Sequence, residues 1–286
     1  MVHNLAEFLT ALTSAFCRQV VLGFGLLALM GVLLSLTQRW LFLLLYRAIG
    51  LKGVVTWTGW LGTPLHEVSH VVVGKLFLVE ITKVKLWEPD PTNGVLGYVR
   101  YRVPRLRLTE LHKVVGTFLM GIAPLFGGAL FLLAALQLTS SDPGPLFAEA
   151  QRFASLAESA PLDAVGRGFA TLVRTVYLTV FADGALSWRP WVFLYVAMCV
   201  GAHLAPSRAD LQGGFSGLLV LLVVALFANA VALLLGAQPA NASHVLARIT
   251  GPVTVMLLLA LVLNCGNLVL AAALSWVTPR WMRPDV

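Results

Sequence analysis

The 286 residues are 58% hydrophobic and only 12% charged, a balance far from that of a water-soluble domain. The formal charge of +7 comes from basic residues in short stretches beside apolar runs, with no aromatic-basic module among them. Nucleic acid is therefore excluded as a partner, and the lipid bilayer is expected in its place.

A membrane span needs about 20 mostly apolar residues. Six segments approach or meet that length: roughly Val20 to Leu36, Gly53 to Leu78, Leu111 to Leu136, Trp188 to Ala205, Gly214 to Gly236 and Pro252 to Val277. The first has Arg18 before it, ends at Gln38-Arg39 and lacks a small-residue cleavage site, so it reads as a retained anchor. The basic stretch between the first two spans, WLFLLLYRAIGLKG, is short for a crossing and reads as a turn with an interfacial helix.

Beyond the second span, Ile81 to Val103 alternates charged and apolar residues on either side of a Pro/Asn/Gly turn, which predicts a β-hairpin. Lys75, Lys83, Lys85, Arg100, Arg102, Arg105, Arg107 and Lys113 crowd this region, so it is expected on the cytoplasmic side. Six spans then leave both termini cytoplasmic. Ser140 to Ser187, with mixed charge, Pro143, Pro161 and weak helical periodicity, is expected outside as a loop with short helices.

The expected fold is an all-α polytopic membrane protein of about six transmembrane helices with a small cytoplasmic β-hairpin. Residues 1–286 form one integral membrane domain, since no linker or repeat divides them. Cys17, Cys199 and Cys265 have no metal-type spacing and read as buried thiols.

The second span carries His66-Glu67-Val68-Ser69-His70, the H-E-x-x-H pattern. Residues four apart lie one turn apart on one helix face, so both imidazoles can reach one ion while Glu67 leans toward it. Burying a carboxylate in a span costs at least a few kcal/mol, and a metal compensates it. Two histidine nitrogens and one carboxylate oxygen suit Zn2+, one per chain, with a fourth position open to water and Glu67 as catalytic base.

The third ligand should lie at a similar depth, roughly 7 to 14 Å from the cytoplasmic boundary at about 1.5 Å per residue from Lys75. HLAPSRADLQGG, His203 to Gly214, interrupts an apolar run on that side, and Asp210 is the expected ligand. His203 is a second candidate, as a ligand or a substrate-contacting group. Gly116, Gly121, Gly127 and Gly128 read as close helix packing beside Pro124. Asn264 and Asn267, about one turn apart, are expected to hydrogen-bond across the bundle.

These residues resemble the site-2 protease family, the intramembrane zinc metalloproteases also classed as peptidase family M50. The resemblance covers most of the chain in span order: a leading helix, the H-E-x-x-H helix, a β-rich segment, a third span, a fourth ending at PSRADLQGG, then two more helices. It implies that His66, His70 and Asp210 bind zinc, that Glu67 is the catalytic base, and that GIAPLFGG packs near the site. The chain departs from the family pattern in having Ser69 where Gly is usual, DLQGG in place of Asp-Gly, and His203 in place of Asn. A divergent branch in a bacterial cell membrane is expected, cleaving a membrane-protein or peptide substrate. A non-proteolytic relative, either a pseudoprotease or an ion-binding or transport protein, is the alternative from the same residues.

Overall fold

The computed structural model describes residues 4–21, 25–90, 96–159, 161–236 and 239–277. The termini, whose side of the membrane was expected from their basic residues, and the Pro91-Asn93-Gly94 turn lie outside the described residues.

The described chain is mostly helical: α1 (Leu5–Val20), α2 (Leu26–Val54), α3 (Trp60–Leu76), α4 (Leu111–Thr139), α5 (Gly144–Ser159), α6 (Leu162–Val180), α7 (Trp188–Gly201), α8 (Arg208–Leu234) and α9 (Pro239–Val277). β1 (Ile81–Lys85) pairs antiparallel with β2 (Tyr98–Tyr101), with Lys85 opposite Tyr98 and a register shift between Ile81 and Lys83. The expected hairpin is thus present in its two strands.

Four stretches are long and apolar enough to cross a membrane: Ala28–Leu76, Leu108–Thr139, Ala209–Leu234 and Met256–Val277. On α8, Phe215, Leu219, Val223 and Phe227 follow each other at one-turn spacing and are 55–71% exposed. An apolar stripe of that length on a helix long enough to cross a membrane fits a lipid-facing surface. The all-α membrane architecture follows from these helices.

Three expectations need correction. Most of the stretch from Trp40 to Gly53 is not an interfacial turn: Trp40 to Ile49 continues the helix of α2, because Leu41, Leu45 and Ala48 extend the buried stripe begun by Leu34. The turn is confined to Gly50, with φ 71° and ψ 170°, a conformation that favours glycine. A π turn, Val55–Gly59, then leads into α3.

The second correction concerns the segment from Ser140 to Ser187. It is a pair of helices, α5 and α6, packed on each other, with α5 also against α9. Leu146, Ala150 and Phe153 from α5 and Leu172, Val176 and Val180 from α6 recur at helical spacing and join the main core with Leu132, Phe193 and Leu257. The weak periodicity therefore marked amphipathic helices rather than a loop.

The third correction concerns the cysteines: all are free, but only Cys199 is buried, whereas Cys17 and Cys265 are exposed on their helices.

α4 packs between α3 and α8, and α9 runs along α2 and meets α7. The 14-residue α7 ends at Gly201, short of the expected Ala205, and the chain turns through His203 and Pro206 before α8 begins. That turn lies beside the H-E-x-x-H residues of α3.

Candidate metal centre

Glycines bring the backbones of this region together. A Cβ on Gly62 of α3 would lie 2.3 Å from the Cys199 carbonyl oxygen and 2.5 Å from the His203 ring. One on Gly121 of α4 would lie 2.4 Å from the Asp210 carbonyl oxygen, and one on Gly127 would lie 2.0 Å from Ser69 Oγ. α3 and α4 therefore approach α7 and α8 more closely than alanine would allow.

His66 and His70 lie one turn apart on α3, with ring centroids 4.8 Å apart. Each ring is held from behind by a main-chain oxygen: His66 Nδ1 donates to the His203 carbonyl and His70 Nδ1 to the Met120 carbonyl, both at 2.7 Å. A proton on Nδ1 leaves Nε2 as the lone-pair donor. Both Nε2 atoms face Asp210, at 3.5 Å for His66 and 3.3 Å for His70.

Asp210 occupies the third position of α8. Its carboxylate accepts from the Ser207 backbone N–H at 2.6 Å, and the Ser207 hydroxyl accepts from the Asp210 backbone N–H at 3.2 Å, which forms a capping box. The cap fixes the carboxylate in front of the two rings. His66, His70 and Asp210 each offer one ligand atom, and these atoms lie within 4.8 Å of one another. Two imidazole nitrogens and a carboxylate oxygen, with both ring orientations set by carbonyls, fit a divalent ion such as zinc. Glu67 sits between the two histidines in sequence and is only 7% exposed.

The structure thus brings together His66, His70, Asp210 and Glu67. His203 enters differently, because its carbonyl holds His66 while its ring Nε2 lies 3.3 Å from Thr58 Oγ1. Its imidazole is outside the three-residue group and lines an adjoining cavity.

Two cavities meet at the site. One, of about 410 Å³, is bounded by His66, Glu67, His70, Asp210 and the hairpin residues Tyr98 and Tyr101. The other, of about 460 Å³, shares His66 and Glu67 and extends past Gln38, Thr63 and His203. An apolar cavity of about 470 Å³ between α2, α4 and α8 shares Ser35, Arg39, Pro206 and Leu211 with the second. An apolar recess therefore adjoins the polar site.

Tyr101 was not singled out in the sequence. Burial first, and the Asp210 carboxylate second, push its phenol above the ordinary tyrosine range, so it stays a neutral O–H donor. Only its place at the end of a strand that folds over the site reveals it. Asn264 and Asn267 sit deep in α9, each 1% exposed. Asn264 Nδ2 donates to the Gly201 carbonyl at 3.3 Å and to Thr37 Oγ1 at 3.2 Å, so the expected bonding across the bundle holds for Asn264, whereas the buried Asn267 amide has no hydrogen-bond partner among the described residues and corrects the expectation there.

Comparison with protein-family models, curated proteins and solved structures returns no match for this chain.

Proposed function

We propose that this chain is an intramembrane zinc-dependent endopeptidase that hydrolyses a peptide bond in or beside a transmembrane segment of a membrane protein, as a divergent relative of the site-2 proteases. The convergence of His66, His70 and Asp210, with buried Glu67 on the same helix, carries this reading.

A zinc ion held by His66, His70 and Asp210 would supply a water of lowered pKa and an electrophile for the scissile carbonyl. Glu67 takes the proton from the attacking water and passes it to the leaving amine. The neutral Tyr101 hydroxyl faces the same cavity and serves as a donor to the oxygen on which negative charge develops. A transmembrane helix hides its carbonyls in internal hydrogen bonds, so the substrate must unwind before attack. β2 lines the cavity and, among the described residues, pairs only with β1, so its other edge can hold an extended peptide through main-chain bonds.

In this reading the chain crosses the membrane six times. The 49-residue stretch Ala28–Leu76 supplies two crossings, separated near Gly50, and α7 supplies a short fourth one. The basic residues around the hairpin support a cytoplasmic position for it, and an even number of crossings then puts both termini on that side, in what this reading takes to be a bacterial cell membrane.

Labelling of new protein N-termini in membranes of cells expressing wild type or Glu67→Gln tests the activity. Termini inside or beside transmembrane segments, present with wild type and absent with the variant, are expected. Identical terminus profiles, with zinc bound in both proteins, would overturn the protease reading in favour of a non-proteolytic membrane metalloprotein.

A further inference from the structure

A separate basic pocket lies where the chain leaves the hairpin and enters α4. We propose that this pocket, walled by Arg105, Arg107 and Lys113, binds the phosphate of an anionic phospholipid headgroup.

The segment Arg102-Val103-Pro104-Arg105-Leu106-Arg107-Leu108 alternates basic and apolar residues over a stretch that is neither helix nor strand for most of its length. Its aliphatic side chains point outward: Val103 is 70%, Leu106 73% and Leu108 89% exposed. Leu108 also begins the membrane-crossing stretch Leu108–Thr139, so these side chains lie at the level where headgroups meet acyl chains. Apolar groups facing the acyl boundary beside cations facing the headgroups form an interfacial pattern.

The cations enclose a pocket of about 370 Å³ together with Glu80, Arg102 and Glu110. The two carboxylates in its wall are already engaged. Glu80 pairs with Arg102 at 2.9 Å, while Glu110 accepts the Arg105 backbone N–H at 2.9 Å and faces Lys113 at 3.9 Å. Among the described residues no ion pair involves Arg105 or Arg107. The backbone carrying them is fixed, because Arg107 N donates to the Arg105 carbonyl at 2.8 Å and Glu110 N to the Arg107 carbonyl at 2.9 Å. Two planar guanidinium groups on an ordered turn, with the Lys113 ammonium from the first turn of α4, suit the oxygens of a phosphodiester. The hairpin cations differ: Lys83 and Arg100 lie over the Tyr98 ring, at 5.5 and 4.9 Å from its centroid.

The exposed aliphatic side chains favour a lipid over an acidic peptide as the occupant, since a peptide would leave Leu106 and Leu108 uncovered. Native mass spectrometry of the full chain in detergent, titrated with phosphatidylglycerol or phosphatidylcholine, tests this. Phosphatidylglycerol is expected to bind selectively. The double variant Arg105→Gln/Arg107→Gln should weaken it about ten- to thirtyfold, and Lys113→Gln alone about fivefold. The hairpin double variant Lys83→Gln/Arg100→Gln should change it less than about threefold, and all variants should melt with wild type. Equal weakening by the hairpin variant would reduce the effect to diffuse charge and overturn the site, as would equal retention of phosphatidylcholine. Inorganic phosphate binding as tightly as the lipid would assign the pocket to free phosphate. An acidic peptide binding more tightly than the lipid would assign it to a protein partner.

Discussion

His66 donates from Nδ1 to the carbonyl oxygen of His203 at 2.7 Å, so the first histidine of the H-E-x-x-H helix is oriented by the main chain of the turn after α7. That turn is held in three places. Ala205 N–H donates to Gln38 Oε1 at 2.5 Å, the His203 ring meets Thr58, and the Gly201 carbonyl receives Asn264 Nδ2. Asn264→Ala removes the last of these without adding bulk at this buried position. Groups that orient a metal ligand typically change affinity about 10- to 100-fold when lost. Zinc affinity measured by chelator competition should fall by about tenfold in this variant. Unchanged affinity in a folded variant would show that the turn holds its position without α9.

The three candidate ligand residues and Glu67 should separate cleanly by experiment. His66→Ala, His70→Ala and Asp210→Ala each remove one of the converging donors and should lose bound zinc, measured as metal per chain by mass spectrometry. Glu67→Gln should keep zinc, because the carboxylate is not one of those donors, and should lower hydrolysis by about 10²- to 10⁴-fold. Loss of zinc from Glu67→Gln would make Glu67 a ligand and leave the proposed base unassigned.

Gly127 and Ser69 should behave as a complementary pair. A methyl group at position 127 would meet Ser69 Oγ, whose hydroxyl donates to the Leu65 carbonyl at 2.7 Å. Gly127→Ala should therefore destabilise by about 1–3 kcal/mol through overpacking. Ser69→Gly removes the obstructing side chain, so the double variant should recover most of that loss in thermal melts. Gly121→Ala has no such rescue, because the obstructing atom is the Asp210 backbone oxygen. It should weaken zinc binding as well as stability. Additive losses at positions 69 and 127 would contradict the packing described between α3 and α4.

The candidate metal site was legible because its chemistry rests on residue types at fixed spacing: two histidines one turn apart, and an acid four residues after a proline. The orienting groups were not legible, since the Met120 and His203 carbonyls are main chain and every residue offers one. The two strands of the hairpin followed from alternation, and the Tyr101 role did not, because a tyrosine at a strand end has no distinctive pattern. Span limits were misread for a physical reason. In lipid, apolar residues such as Phe215 and Phe227 face outward while Leu41 and Leu146 face inward, so hydropathy alone does not distinguish a lipid-facing run from a buried one. The continuity of α2 and the docking of α5 and α6 depend on that distinction.

The turn between α6 and α7 should impose an acid limit on local stability. Arg189 Nη1 donates to Asp183 Oδ2 at 2.9 Å, and this bond chiefly, with help from Ser141, holds the exposed Asp183 carboxyl below the usual aspartate range. A pKa depressed in the folded state gives stability that is complete above the unfolded value of about 3.9 and is lost as pH falls through the folded value. Asp183→Asn should therefore melt below wild type near neutral pH, by a small margin fitting an exposed pair. The margin should shrink as the pH is lowered past the ordinary aspartate range, because wild type then loses the same interaction by protonation. Melting curves of both proteins in one detergent across that range provide the check. A margin independent of pH would mean that Asp183 acts through its hydrogen-bonding shape, which asparagine alters, and not through its charge.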